Sequence, residues 1–296
     1  MDIEKIKSEK SVRELLEFGI INIDKPSGPT SFSVSDFVRY ALNLRKTSHF
    51  GTLDPKVTGV LPIALNRACK LTGYFLGEDK EYVGVMRLHE EIPLEKIKKA
   101  IQEKFMGKII QMPPVKSRVK RQNREREIKQ FEIFEENGKD FLFGVECEGG
   151  TYIRKLIDDL GKELGIGAHM LELRRKRAGI FREDNKNYPS INLYDFEKAV
   201  EEYKKGNEKL LRKIIIPAEI VSEVYLPISI KEDNLNQIFT GKPIYKKDLV
   251  EDEGWRKNSI VSAFCNERFI GIYRIFRGKE IFAKSEFVMQ EMGSKL

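Results

Sequence analysis

Apolar side chains recur every three to four positions in two long stretches of the chain, and this spacing predicts amphipathic helices. The first stretch is "EIPLEKIKKAIQEKFMGK", which has Pro93 near its start and Gly107 at its end. Its predicted buried face consists of Leu94, Ile97, Ile101 and Phe105. The second is "GGTYIRKLIDDLGKELGIG", which turns at residues 149–150 and then directs five apolar side chains inward: Ile153, Leu156, Ile157, Leu160 and Leu164.

Shorter patterns predict further elements on either side of these helices. Residues 11–18 predict a short helix that leads into "GIINIDKP", an apolar strand. In "SGPTSFSVSDFVRYALNL", Thr30 or Ser31 can cap a helix. Its predicted buried face consists of Phe37, Val38, Ala41 and Leu42. "FEIFEENGKDFLFGVEC" predicts a hairpin, because its second half alternates apolar and other residues and residues 137–138 are Asn-Gly.

Strands and helices alternate irregularly, so we predict the α+β class, with a mixed and largely antiparallel sheet. The pattern changes after about residue 222. "SIVSAFCNERFIGIYRIF" predicts two strands around an Asn-Glu turn, preceded by a short helix and a turn with Gly and Pro. We therefore predict two domains, over residues 15–222 and 223–296, the second a small β-barrel-like module.

Composition excludes several classes of protein. The chain has 296 residues, of which 41% are hydrophobic, so it can bury a sizeable core. No apolar run approaches the ~20 residues of a membrane span, and the charged N-terminus does not resemble a secretory signal, so we expect no membrane partner. The three cysteines are far apart and indicate buried thiols in a reducing compartment. The histidines show no metal-ligand spacing, so we expect no metal site.

Positive charge is concentrated in two tracts, although the formal net charge is only +7. Residues 108–130 contain eight basic side chains: Lys108, Lys116, Arg118, Lys120, Arg121, Arg124, Arg126 and Lys129. Residues 174–182 contain five and no acid: Arg174, Arg175, Lys176, Arg177 and Arg182. Two such tracts indicate a polyanionic partner, above all a nucleic acid. The alternative for each tract is a solvated charged face.

Asp54 is the leading candidate for chemistry, in "SHFGTLDPKVTGVLP" between Gly51 and Pro55. An Asp before Pro usually caps a helix or closes a turn. Arg154 changes this view, because a cation in the first turn of a helix opposes the helix dipole. An arginine placed there can serve an anion, either a phosphate or a catalytic carboxylate. Two glycine-rich segments, "KPSGPTS" and "GIGAH", lack the complete nucleotide-binding motifs.

Five ordered motifs now carry a resemblance that covers nearly the whole chain: "INIDKPSGPTS", "HFGTLDPKVTGVLP", "KEYVGVMRL", "GGTYIRKLIDDLG" and "LRRKRAGIF". Together they resemble the TruB family of pseudouridine synthases. The similarity is strongest to its archaeal and eukaryotic dyskerin-type branch, the catalytic subunit of H/ACA guide-RNA ribonucleoproteins. The C-terminal module is similar to a PUA domain, a small RNA-binding barrel. The resemblance therefore implies a pseudouridine synthase catalytic domain followed by a PUA domain.

The resemblance implies that the protein isomerises specific uridines of RNA to pseudouridine without a cofactor. It implies ribosomal RNA as the main substrate, with tRNA as a further candidate, under the direction of an H/ACA guide RNA. The implied partners are the guide RNA, the substrate RNA and small proteins of the Nop10, Gar1 and L7Ae type. The implied location is the cytoplasm in an archaeon or the nucleolus in a eukaryote. The alternatives are a stand-alone tRNA pseudouridine-55 synthase and a non-catalytic RNA-binding scaffold.

The resemblance also implies a role for each candidate site residue. Asp54 is the catalytic carboxylate, acting as a nucleophile or as a base, and Arg154 is expected to keep it ionised within a buried pair. Tyr82 is expected to stack on the target base and to assist removal of the C5 proton. His49 is expected to help hold the flipped nucleotide, with Lys25 supporting the loops or a phosphate. Leu173 lines the pocket, and RNA phosphate or loop contacts are expected of Arg174, Arg175 and Arg177.

The chain departs from the family pattern at five positions: Phe50, Arg118, Glu125, Glu127 and Ile180. None of them removes a catalytic group. They affect the expected details of RNA contact rather than the expected reaction.

Overall fold

The computed structural model of the chain describes residues 1–113, 120, 122–251 and 254–289. It divides into two compact units. One unit is Leu16–Ile216, and the other combines Met1–Leu15 with Pro217–Leu296. The first fifteen residues thus group with the C-terminal unit, whereas the functional boundaries 15–222 and 223–296 stay predictions. Three members of the first basic tract lie outside the described residues: Lys116, Arg118 and Arg121.

A large mixed sheet forms the first unit. Its strands are β1 (Gly19–Lys25), β2 (Thr47–His49), β3 (Thr58–Leu65), β4 (Lys80–Leu88), β5 (Gly107–Gln111), β6 (Arg124–Asn137), β7 (Asp140–Cys147), β8 (Ala168–Ala178), β9 (Phe181–Arg182) and β10 (Ile215–Pro217). The strand order is β10-β1-β3-β8-β4-β7-β6-β5, with β2 paired to β3 and β9 to β8. The prediction of a mixed and largely antiparallel sheet is confirmed, because from β1 to β5 along this order every pairing is antiparallel except that between β3 and β8.

The parallel pairing of β3 with β8 depends on one glycine. Gly59 lies opposite Arg175 in the register and has a φ of +101°. A Cβ at this position would lie 2.2 Å from the Arg175 carbonyl oxygen. Only a residue without a side chain permits this approach. The glycine therefore brings the strand that follows the Asp54 loop directly against β8.

The helices are α1 (Ile3–Glu9), α2 (Val12–Glu17), α3 (Ser31–Ala41), α4 (Thr72–Leu76), α5 (Leu94–Lys104), α6 (Ile153–Glu163), α7 (Leu193–Lys204), α8 (Lys209–Ile214) and α9 (Leu235–Phe239). The predicted helices at α2, α5 and α6 are confirmed, as is the hairpin of β6 and β7. No helix in the described part of the chain is long and apolar enough to cross a membrane.

The face predicted for α3 is partly wrong. Thr30 caps the helix by accepting a hydrogen bond from the Ser33 amide, as predicted. Its buried residues are Ser31, Val34, Ser35 and Val38, whereas Phe37 and Ala41 are only half-buried. The buried serines are tolerated because the Ser31 hydroxyl bonds the backbone of Leu53 and the Ser35 hydroxyl bonds Thr47. The spacing of apolar residues alone does not reveal buried serines whose hydroxyl groups are hydrogen-bonded.

The second unit contains a smaller sheet of β11 (Pro227–Ser229), β12 (Ile244–Tyr245), β13 (Ile260–Cys265), β14 (Arg268–Ile275) and β15 (Ile281–Val288). Its order is β11-β13-β14-β15-β12. The predicted hairpin is confirmed as β13 and β14, which turn at Asn266 with a φ of +51°. Helix α1 belongs to this unit: it buries Ile3 and Ile6, and Lys5 contacts Glu267 at 2.6 Å.

Candidate active site

Asp54 and Arg154 meet, as the sequence predicted. Arg154 Nη1 donates to Asp54 Oδ2 at 2.8 Å, from the first turn of α6 to the loop between β2 and β3. The expectation of a buried pair is wrong, because the two side chains are 51% and 58% exposed. An exposed ion pair contributes only about 0–1 kcal/mol to folding. The pair therefore fixes the direction of the carboxylate more than it stabilises the fold.

Hydrogen bonds hold the backbone on both sides of Asp54. The Ser31 hydroxyl donates to the Leu53 carbonyl at 2.9 Å and accepts from the Leu53 amide at 2.8 Å. The Gly28 amide donates to the Pro55 carbonyl at 2.9 Å. The segment before α3 thereby holds the residues on both sides of Asp54. Apart from the position of Ser31 within "KPSGPTS", nothing in the sequence indicated its contact with Leu53.

Lys25 lies fully buried beneath the same loop. Its Nζ donates to the carbonyl oxygens of Pro26, Pro55 and Val57, each at 2.9 Å. An ammonium group has three donors, so these carbonyls use all of them. Burial lowers the pKa of Lys25, and the nearby charge of Asp54 acts in the opposite direction. Of the two roles that the sequence left open, the geometry favours support of the loop over a phosphate contact.

Tyr82 and Leu173 lie on the central strands β4 and β8. Their side chains are 8% and 7% exposed. Tyr82 pairs with Arg175 in the register, and Leu173 pairs with Gly84. Burial raises the pKa of the Tyr82 phenol, and the Arg175 guanidinium opposes this shift. The Asp54 charge adds a smaller upward shift to the pKa of Tyr82.

His49 ends β2, at the entrance to the loop. Its Nε2 lies 3.1 Å from the Thr52 hydroxyl. Burial lowers the pKa of His49, with a smaller contribution from the Arg175 charge. The imidazole therefore favours its neutral form, which can exchange hydrogen bonds with a base or a ribose.

Arg174 and Arg177 are already paired within the protein. Arg174 donates to both carboxylate oxygens of Asp24 at 2.9 Å and to Glu183 at 2.8 Å. Arg177 donates to Glu146 at 2.6 Å and lies 3.4 Å from Glu81. Much of the charge in the second basic tract is thus balanced by neighbouring acids. The RNA contacts predicted for Arg174 and Arg177 stay predictions.

Phe50, one of the departures from the family pattern, is a core residue. It is 1% exposed and stacks on Phe75, with 4.6 Å between ring centroids. Phe181 completes the cluster at 5.9 Å from Phe50. A large ring at this position therefore fills buried space in an aromatic cluster of the core.

Removal of the Arg154 guanidinium should impair the site without unfolding the protein. In Arg154→Gln we expect turnover to fall by about 10²-fold or more, because Asp54 loses the cation that orients it. The free energy of unfolding should change by less than about 1 kcal/mol, since the pair is exposed. Urea unfolding and a tritium-release assay on uridine-labelled RNA measure the two effects.

The matched control is Lys155→Gln, which removes the neighbouring positive charge from the same helix. Lys155 pairs with Asp158 and Asp159 of its own helix. Its turnover should stay within a few-fold of wild type. Equal losses in the two variants would contradict a specific role for Arg154.

Lys80 is a buried cation that the sequence did not single out. It is 3% exposed and its Nζ donates to the Glu78 carbonyl at 2.5 Å. Burial lowers its pKa from 10.5 to about 8. Between those pH values the unfolded chain binds a proton that the folded protein has lost. We therefore expect Lys80 to contribute stability that rises with pH, by at most roughly 3 kcal/mol.

The measurement is urea unfolding of wild type and Lys80→Met at several pH values from 7.5 to 10.5, a window set by the two Lys80 pKa values. The difference in unfolding free energy between the two proteins isolates the contribution of Lys80, because the cysteines and tyrosines that titrate in the same range are common to both. Parallel curves for wild type and variant would show that the amine of folded Lys80 does not titrate in this window.

Two protein-family models together match residues 39–222 of the chain. The model for the N-terminal domain of TruB family pseudouridylate synthases matches residues 39–153. The model for the C-terminal domain of tRNA pseudouridylate synthase B matches residues 154–222. A protein of Pyrococcus abyssi named probable tRNA pseudouridine synthase B is 43% identical over 280 residues, which are 94% of this chain and 81% of that protein. A protein of the same name from Methanocaldococcus jannaschii is 42% identical, over 82% of this chain and 71% of its own.

Solved structures give the same result. A chain in the crystal structure of a Cbf5–Nop10–Gar1 complex is 36% identical with a TM-score of 0.87, over 96% of this chain and 89% of its own. A chain of an H/ACA ribonucleoprotein bound to a substrate RNA is 34% identical with a TM-score of 0.85, over the same shares. These matches confirm the predicted fold class, a pseudouridine synthase domain with a small PUA-type module. The chain belongs to the TruB family of pseudouridylate synthases and is an RNA pseudouridine synthase.

Proposed function

We propose that the protein isomerises uridines selected by an H/ACA guide RNA, with Asp54 as the catalytic carboxylate. The observation that carries the proposal is the match over 96% of the chain to a Cbf5 complex and to an H/ACA ribonucleoprotein with substrate RNA. The contact between Asp54 and Arg154 supports the same proposal, because it orients a half-exposed carboxylate whose neighbours Leu53 and Pro55 are hydrogen-bonded to the segment before α3.

The reaction breaks the bond between C1′ and N1, turns the base, and joins C1′ to C5. The C5 proton leaves and N1 gains a proton, so atoms and charge balance and no redox equivalent is needed. Asp54 attacks as a nucleophile or removes a proton from the sugar. Tyr82 assists removal of the C5 proton, and His49 helps to hold the flipped nucleotide. Lys25 supports the loop, and Leu173 lines the pocket. Arg174 and Arg177 contact the RNA.

The proposed partners follow from the solved relatives. Those structures contain Nop10, Gar1 and H/ACA RNA with substrate RNA, which supports small proteins of the same types here. A protein of the L7Ae type completes the proposed set on the resemblance alone. The archaeal organisms of the named relatives support a cytoplasmic location, with the nucleolus as the location in a eukaryote.

A stand-alone tRNA pseudouridine-55 synthase is the second candidate. The names of the relatives, probable tRNA pseudouridine synthase B, favour it. Both candidates use the same active site, so the Asp54 geometry supports each of them equally. A non-catalytic scaffold is the weakest alternative, since the carboxylate, the tyrosine and the arginine are all present.

The test is reconstitution of the purified protein with an H/ACA guide RNA and its partner proteins. Under the proposal, the uridine opposite the guide pocket becomes pseudouridine, and a guide with an altered targeting sequence moves the modification. Conversion of tRNA in the absence of any guide, together with no response to a guide, would overturn guide dependence. Absence of product under every condition would favour the scaffold.

A further inference from the structure

The buried amide of Gln111 takes no part in the reaction outlined above. Gln111 is the last residue of β5, and its side chain is 2% exposed. A buried amide is costly unless its donor and its acceptor both find hydrogen-bond partners. The partners of this amide therefore indicate what it does.

The Gln111 amide bonds both backbone groups of one residue, Tyr152. Its Oε1 accepts from the Tyr152 amide at 3.0 Å, and its Nε2 donates to the Tyr152 carbonyl at 3.3 Å. Tyr152 is extended, with φ −96° and ψ 98°, so its N–H and C=O point to the same side. An amide side chain matches both groups, whereas a carboxylate has only acceptors and an ammonium group only donors.

Tyr152 is the residue from which α6 begins. Its carbonyl also accepts from the Leu156 amide at 2.9 Å, which is the first hydrogen bond of the helix. The Tyr152 side chain makes no capping hydrogen bond to the first turn. Gln111 therefore holds the start of α6 from a strand that lies 41 positions away in the chain.

The direction of Arg154 depends on this helix start, because Arg154 follows Tyr152 by two residues. The Arg154 side chain is 58% exposed, so packing restricts it little, yet its Nη1 lies 2.8 Å from Asp54 Oδ2. Between the two, Ile153 is 4% exposed and anchors the turn in the core. Burial of Ile153 fixes the depth of this turn, and the hydrogen bonds to Tyr152 fix the direction of its backbone.

We infer that Gln111 is a positioning residue, which directs Arg154 towards Asp54 by fixing the backbone of Tyr152. The inference rests on the proposed function in one respect, the catalytic role of Asp54. Gln111 acts through Arg154 and needs no contact with the RNA. The arrangement is therefore a property of the protein alone and can be measured without a substrate.

The first test follows the Arg154 side chain in the full chain without RNA. Rotation of its guanidinium about the Nε–Cζ bond, measured by nitrogen-15 exchange NMR, is slowed by the hydrogen bond to Asp54. In Gln111→Met the rotation rate should rise towards the rate in Asp54→Asn, which lacks the charged acceptor. A rate in folded Gln111→Met that equals wild type would overturn the inference. The matched control is Gln102→Met, which removes an exposed glutamine of α5 and should leave the rate unchanged.

The second test shows whether Gln111 acts through Arg154. In an otherwise wild-type chain, Gln111→Met should lower kcat by about tenfold with little change in KM, because small displacements of an orienting group are costly. In an Arg154→Gln chain, the same substitution should lower kcat by less than about twofold, since both changes remove one effect. Equal factors in the two chains would leave Gln111 with a merely structural role.

Gln111→Glu covers the case in which Gln111→Met does not fold. Glutamate keeps the shape of the side chain and an acceptor for the Tyr152 amide, but its ionised form has no donor for the Tyr152 carbonyl. At about pH 9, well above the ordinary pKa of a carboxyl group, the Arg154 rotation rate should again exceed that of wild type. An equal rate in this variant would also overturn the inference.

The rotation measurements separate this inference from the proposed function. A wild-type protein that forms no pseudouridine would contradict the proposed function but would leave the rotation rates as they are. Unchanged rotation in the Gln111 variants would overturn the role of Gln111 and leave the proposed reaction intact.

Discussion

Asp54→Asn should abolish pseudouridine formation while the protein stays folded and still binds RNA. Asparagine has the shape of aspartate but lacks its charge, so it provides neither a nucleophile nor a base of useful strength. Loss of a group that acts directly on the reacting atoms typically costs about 10⁴-fold or more in turnover. Because Asp54 is about half exposed and pairs with an exposed arginine, we expect a change in unfolding free energy below about 1 kcal/mol.

The readout is tritium release from C5 of uridine-labelled RNA, together with RNA binding by filter retention. The matched control is Asp36→Asn, which removes a partly exposed carboxylate that pairs with Arg39 on α3. Its activity should stay close to wild type. Product formation by Asp54→Asn at more than a hundredth of the wild-type rate would argue against a catalytic carboxylate at this position.

Lys25→Met should have the largest effect on stability among the site variants. Methionine fills a similar volume but removes the ammonium donor from the carbonyls of Pro26, Pro55 and Val57, of which Pro55 keeps the Gly28 amide as a donor. Each buried, unpaired polar group costs about 1–3 kcal/mol. Relaxation of the loop and relief from burying a charge offset part of this cost, so we expect a loss of roughly 3 kcal/mol in unfolding free energy. Turnover should fall as well, since the loop around Asp54 loses its support.

Urea unfolding measures the stability, and activity is assayed at a temperature at which the variant is folded. Lys56→Met is the matched control, because Lys56 is an exposed lysine of the same loop. It should change stability by less than about 0.5 kcal/mol. An unfolding free energy for Lys25→Met that equals wild type would mean that the three carbonyls find other donors or water.

Local sequence patterns correctly predicted the helices and strands whose buried side chains recur at a short, regular spacing. The helix over Leu94–Lys104 and the hairpin at Asn137 are examples, because each buries one side of a regular element. The position of Arg154 in the first turn of its helix indicated an anionic partner, either a phosphate or a carboxylate, and the family resemblance pointed to Asp54. The exposure of this pair was not predictable, because the sequence does not indicate how far the loop protrudes from the sheet.

The family resemblance gave loop contacts as one possible role of Lys25 and Arg175, but the burial of these two residues was beyond what the sequence shows. In sequence, each looks like an ordinary cation of a turn or of a basic tract, yet each is buried. Their partners are backbone carbonyls, which every residue carries and which therefore leave no compositional trace. The parallel pairing of β3 with β8 creates the Arg175 environment, and it joins segments that are far apart in the chain.

The grouping of the first fifteen residues with the C-terminal unit has a consequence for biosynthesis. Ile3 and Ile6 leave the ribosome long before the strands of their own unit are made, whereas Leu16–Ile216 is contiguous and can fold during translation. The N-terminal helix therefore lacks the rest of its unit until the residues from Pro217 onward have been synthesised. A nascent chain arrested near residue 220 would contain the whole Leu16–Ile216 unit, together with an N-terminal helix whose own unit is not yet made.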